Sequence, residues 1–145
     1  MPTSTPNDDP AREPAALIVV DHGSRRDEAG DTLAAVVDAI AARTPERYAA
    51  VLGAHMEIEA PSIADAVALA VAAGARHVVV APLFLAAGRH ATFDVPEQAR
   101  AAVATHPGVT LAVAAAIGSH AGVVAALLDR IDEAEPVRLT GSGAT

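Results

Sequence analysis

Residues 16–25, Ala-Leu-Ile-Val-Val-Asp-His-Gly-Ser-Arg, decide the fold. An unbroken apolar run that stops at Asp21 suits a strand buried on both faces, and such strands belong to parallel sheets covered by helices. The strand is expected over Ala16–Asp21. A second run of the same kind, Val-Val-Val-Ala-Pro-Leu-Phe-Leu at 78–85, leads through Ala-Ala-Gly-Arg to His90. In parallel α/β sheets ligands collect at the C-terminal ends of the strands. His22 and His90, each just past such a run and each near an arginine, are therefore the first candidates for a site.

Outward from these two runs the chain alternates strand and helix four times, the pattern of βαβ units on a parallel sheet. Helix 1 is expected over Asp27–Arg43, with Leu33, Val36, Val37 and Ile40 as its apolar stripe. Strand 2 is expected over Ala49–Ile58. Ser62 and Asp65 form a capping signature for helix 2, which stops at Gly74. Strand 3 spans His77–Leu83, and Asp94 with Glu97 marks the start of helix 3. Strand 4 spans Val109–Ala115, and helix 4 runs from Ser119 to Ala134 with Val123, Leu127, Leu128 and Ile131 facing inward. A flavodoxin-like order of 2-1-3-4 places strands 1 and 3 side by side, with the topological switch between them. The expected architecture is a three-layer α/β domain with a four-stranded parallel sheet flanked by helices. Residues 1–14 carry four prolines and no apolar period and read as a disordered tail, residues 15–135 as the domain, and 136–145 as a flexible tail.

Composition narrows the chemistry. The 145-residue chain has no lysine and a formal net charge of −8, so it lacks the electrostatic footprint of a general nucleic-acid binder. An anionic ligand would have to be held by a local cluster, for which Arg25, Arg26 and Arg89 are available. With no cysteine, a metal site must use histidine and carboxylate. No secretory signal and no apolar stretch long enough to span a membrane is evident, so the expected location is cytoplasmic.

Strand 2 ends in the run His55-Met-Glu57-Ile-Glu59, and on an extended strand these three polar side chains share one face. Glu57 would then share the sheet edge with His22 and His90. Two imidazoles and a carboxylate with open coordination positions suit zinc, iron(II) or cobalt(II). Ser24 suits a helix cap. His77 and His106 read as structural or solvated, whereas His120 follows strand 4 at the same edge as the candidate site. The long connection from Phe84 to Phe93 is of the kind that carries function.

Asp-His-Gly-Ser-Arg (21–25), Glu-Ile-Glu-Ala-Pro-Ser-Ile (57–63), Pro-Leu-Phe-Leu-Ala-Ala-Gly-Arg-His-Ala-Thr-Phe-Asp-Val-Pro (82–96), Gly-Ser-His (118–120) and Leu-Leu-Asp-Arg (127–130) together resemble the sirohydrochlorin cobaltochelatase/ferrochelatase family, in its short single-domain class II form. The resemblance covers about residues 15–132 in order and spacing and implies a chelatase-like fold. It implies nucleotide-independent insertion of a divalent metal substrate (cobalt, iron or nickel) into the tetrapyrrole sirohydrochlorin, in siroheme or cobalamin synthesis. On it His22, His90 and Glu57 are the metal-binding and catalytic residues. Arg25, Arg89 and Ser24 are its substrate-binding residues, with the arginines holding peripheral carboxylates. The short form also implies a homodimer, with neither nucleic acid nor membrane as partner. Three departures stand out: Asp21 where glycine or alanine is common, His55 where an apolar residue is common, and an acid at Glu59 with Ala60 before Pro61. Two other classes fit parts of the pattern. One is a metal chaperone or storage module with the same ligands. The other is histidine-type phosphoryl transfer, against which Asp21 stands where arginine is needed.

Overall fold

In a computed structural model, residues 13–25 and 27–137 are described. The strands β1 (Ala15–Asp21), β2 (Ala50–His55), β3 (His77–Pro82) and β4 (Thr110–Val113) alternate with the helices α1 (Asp27–Arg43), α2 (Ile63–Ala72), α3 (Val95–Ala104) and α4 (Ala121–Asp132). Every strand pairing is parallel, and the order is β2-β1-β3-β4, as expected from the sequence. Most of both expected tails, and Arg26 of the arginine cluster, lie outside the described residues. Pro14 belongs to the domain rather than to the tail, because its carbonyl accepts from the N–H groups of Arg76 and His77.

The central strand explains the layering. Side chains alternate across a strand, so Ala16, Ile18 and Val20 of β1 join one core with Ala66, Val67 and Ala70 of α2 and Val95, Ala99 and Val103 of α3. Leu17 and Val19 point the other way, into a smaller core with Leu33 that takes in Val36, Val37 and Ile40 of α1. Both faces of β1 are thus dry, which is what its unbroken apolar run requires. The capping box read from Ser62 and Asp65 is present in full at the start of α2.

Four expectations need correction. Strand 2 stops at His55 rather than Ile58, because Glu59 N–H bonds back to the Glu57 carbonyl and Ile58 takes a left-handed φ of 73°. That is the pattern of the rarer, strained γ-turn, and it ends strand geometry. Strand 4 is shorter than expected, Thr110–Val113. Asp94 does not cap α3: its backbone is already helical, and a π-helical turn, His90–Asp94, runs directly into α3. Finally, α4 buries none of its residues, and Val124, Leu127, Leu128 and Ile131 are all more than half exposed.

Candidate metal-handling site

Register brings three chain segments to one place. Asp21 lies opposite His55, and Val20 opposite Pro82, so β1, β2 and β3 end side by side and their following loops share the C-terminal edge. His22 is the first residue past β1. Its ring stands edge-to-face with that of His90, centroids 4.8 Å apart at 84°, and its Nε2 lies 3.3 Å from Oε1 of Glu57. The three residues read as ligands from the sequence therefore meet, from three separate strand-to-helix connections.

Each is held by its own local structure. The loop after β3 is tied to the loop after β4 by Ile117 N–H to the Phe84 carbonyl and Gly118 N–H to the Leu85 carbonyl. From that anchored loop the π-helical turn begins at His90, and its winding brings Asp94 Oδ2 to 2.7 Å from His90 Nδ1. An ionised carboxylate only accepts, so Nδ1–H donates to it and the imidazole lone pair is left on Nε2, where a ligand or proton acceptor is needed. Wide turns of this kind recur at functional sites. On the other side Gly23, with φ of 89°, packs so closely under the Glu57 loop that a Cβ there would sit 1.9 Å from the Glu57 carbonyl oxygen. Only glycine allows that approach. Glu57 N–H in turn donates to the His22 carbonyl at 3.3 Å.

The γ-turn at Ile58 undoes the shared face expected of Glu57 and Glu59. Glu57 reaches His22, whereas Glu59 turns to the backbone N–H of Ser24, 2.6 Å from Oε1, and toward His55. His55 itself is buried and bonds Asp21 through Nδ1 at 2.6 Å. It is thus tied to the site from behind. His120 caps α4, its Nδ1 accepting from Gly122 N–H. Arg89 lies over the Phe93 ring at 4.7 Å with its Nε 3.7 Å from Asp94, at the rim of the site. Arg25 is exposed after Ser24. Asp94, read from the sequence as a helix cap, instead holds His90; its spacing of four from that residue was the available signal.

Two open depressions flank the cluster. One, about 400 Å³, is bordered by His22, Leu33, Leu83 and Phe84; the other, about 330 Å³, by Met56, Glu57, His90 and Phe93. Exposed Ile58, Leu85 and Phe93 give this edge an apolar character. Among the described residues no three His, Asp or Glu side chains stand in an arrangement that already encloses a metal ion. What the geometry provides is a half-exposed pair, His22 and Glu57, with a second imidazole beside it. Such an open set suits an ion that must be taken up and given away, in contrast to a closed structural site.

Known proteins place this edge in context. The CbiX family model matches residues 16–134. The chain is 40% identical over 115 residues to the chloroplastic sirohydrochlorin ferrochelatase of Arabidopsis thaliana, covering 79% of this chain and 50% of that protein. Among solved structures, a CbiX protein from Marinobacter aquaeolei VT8 superposes with a TM-score of 0.70 at 32% identity, over 83% of this chain and 96% of that one. The sirohydrochlorin chelatase SirB from Bacillus subtilis subspecies spizizenii, solved in complex with cobalt, gives a TM-score of 0.75 at 28% identity, over 83% of this chain and 50% of that one. The chain spans about half the length of the curated relatives it matches. No helix among the described residues is long and apolar enough to cross a membrane.

Proposed function

The chain belongs to the CbiX family, and from that premise we propose that it inserts a divalent metal, cobalt or iron, into sirohydrochlorin without nucleotide, using His22, His90 and Glu57. The observation that carries this reading is the convergence of those three side chains, from three loops, at the sheet edge where α/β proteins bind ligands.

The reaction must strip water from the ion and remove two pyrrole N–H protons. Imidazole does either task, as ligand or as base. His90, with Nδ1 committed to Asp94, offers Nε2 to the ion. His22 and Glu57 complete the ligand set before transfer and, once the ion has passed to the macrocycle, take up the two departing protons, with a route to solvent through their exposed sides. The apolar rim of Ile58, Leu85 and Phe93 suits the face of a macrocycle. Arg25 and Arg89, with Ser24 between loop and helix, are the groups for its peripheral carboxylates; an arginine fork pairs with carboxylate through two parallel hydrogen bonds. A cytoplasmic location belongs to the same reading.

The test is an anaerobic assay of cobalt(II), iron(II) and nickel(II) entry into sirohydrochlorin, with no nucleotide added. Acceleration of at least one ion above the uncatalysed rate is expected. Tight metal binding with no acceleration would replace the enzyme by a metal carrier.

We further propose that two copies of the chain pair through α4. Its stripe of Val124, Leu127, Leu128 and Ile131 is 52%, 60%, 54% and 57% exposed, an apolar face that monomeric proteins rarely leave open. Light scattering is expected to give twice the 14.6 kDa chain mass, and Leu127→Glu to return it to the monomer value. A monomer for the unaltered chain would sink the pairing.

A further inference from the structure

Behind the metal-handling cluster lies a second group of polar side chains that the reaction as described does not use. His55 is the one buried polar or charged residue in the described core, 7% exposed, and it sits at the last position of β2. Its Nδ1–H donates to Asp21 Oδ1 at 2.6 Å, and its Nε2 faces Glu59 Oε2 at 4.0 Å. Asp21 Oδ1 also accepts from Gly23 N–H at 3.0 Å, and Glu59 Oε1 from Ser24 N–H at 2.6 Å. Both acids therefore grip the backbone just past His22, one residue beyond it and two residues beyond it.

We propose that His55, held between Asp21 and Glu59, is a positioning residue that locks the loop carrying His22 to the loop carrying Glu57 and so sets the separation of that pair. The connectivity makes the case. Asp21 ends β1, where the first loop begins, and Glu59 comes from the second loop; each bonds the turn of residues 23–24, and the imidazole stands between the two carboxylates. Without it the two carboxylates, 15% and 29% exposed, would lose the group that stands between them, and repulsion between them would pull the loops apart. The γ-turn at Ile58 serves the same end, since it sends Glu57 to His22 and Glu59 to the clamp although the two are only two residues apart. Strain at such a residue persists only where its surroundings fix it. His55 touches neither ion nor tetrapyrrole in this scheme; it acts through the backbone of residues 22–24.

The inference rests on His22 and Glu57 acting in metal insertion, so the unaltered protein is assayed beside the variants. His55→Ala is expected to lower kcat per folded molecule about 10- to 100-fold, the size of effect that misplacement of reacting groups by about an ångström produces. KM for sirohydrochlorin should change much less than kcat, because Leu85, Arg89 and Phe93, on the connection after β3, are untouched. His55→Asn, whose amide can replace the Nδ1–H bond to Asp21, should recover most of the rate, and His55→Gln should not. Normalising to folded protein by near-ultraviolet circular dichroism separates positioning from loss of fold. An unchanged kcat per folded molecule in His55→Ala, beside an active parent, would overturn the positioning role; an inactive parent would instead overturn the insertion reading beneath it. Equal loss in the alanine and asparagine variants would also count against the clamp, since the bond to Asp21 would then be irrelevant.

Discussion

Replacing His22 or His90 by alanine is expected to lower the rate of metal insertion by about 10²–10⁴-fold, the range that removal of a positioned base or metal ligand produces. Both side chains are close to half exposed, 44% and 49%, so their truncation opens no cavity in the core. Thermal unfolding midpoints should therefore move by no more than about 2 °C. The two losses are not expected to multiply. His22 and His90 are in ring contact and serve one ion, and groups that act as a unit are non-additive when removed together. His106→Ala is the control. That histidine precedes β4 and so lies at the opposite edge of the sheet, and its loss should leave the rate unchanged. A near-normal rate in His22→Ala or His90→Ala would remove that residue from the chemistry.

Gly23→Ala should produce the largest structural effect of any single methyl group in the site. The residue sits at φ of 89°, where a side chain is strained, and the added Cβ would fall 1.9 Å from the Glu57 carbonyl oxygen. No side chain can rotate away from that clash, because the obstacle is backbone. Either the loop that carries Glu57 lifts off or the turn after His22 reforms. A loss of about 2–4 kcal/mol in urea unfolding is expected from the combined backbone strain and overpacking. Activity should fall about 100-fold even in the folded fraction, because His22 and Glu57 would separate. Stability within about 0.5 kcal/mol of the parent, with full activity, would show that the two loops do not depend on this close approach.

How much of this was legible in the sequence follows from what each signal encodes. The apolar runs of β1 and β3 encode burial on both faces, and with it the parallel sheet, its edge and the two histidines that emerge there. Ser62 and Asp65 encode a cap through local hydrogen bonding, and α2 begins there. The path of residues 56–61 was not legible, because Ile58 gives no hint that a β-branched residue takes a left-handed φ; only the surrounding bonds impose it. Hence the expected common face of His55, Glu57 and Glu59 gave way to two separate groups. Asp94 was misread for a related reason. Asp followed three residues later by Glu is a capping pattern, yet the turn ahead of α3 is already helical, so the carboxylate is free to hold His90.

Helix α4 teaches a different lesson. Its periodicity correctly marks which face is apolar, but periodicity carries no information about what covers that face. Leu127, Leu128 and Ile131 were expected to lie inward and are instead open. The departures at Asp21, His55 and Glu59 looked unrelated along the chain. In space they form one connected group behind the site, because the register sets Asp21 against His55 and the γ-turn returns Glu59 to the other side of that imidazole.

X-ray absorption of the cobalt(II)-loaded protein tests the shared role of the three converging side chains most directly. Two imidazole nitrogens and one carboxylate oxygen are expected around cobalt in the parent, falling to a single imidazole in His22→Ala and in His90→Ala. A coordination shell without imidazole in the parent, or one identical in the parent and both variants, would contradict metal handling at this edge of the sheet.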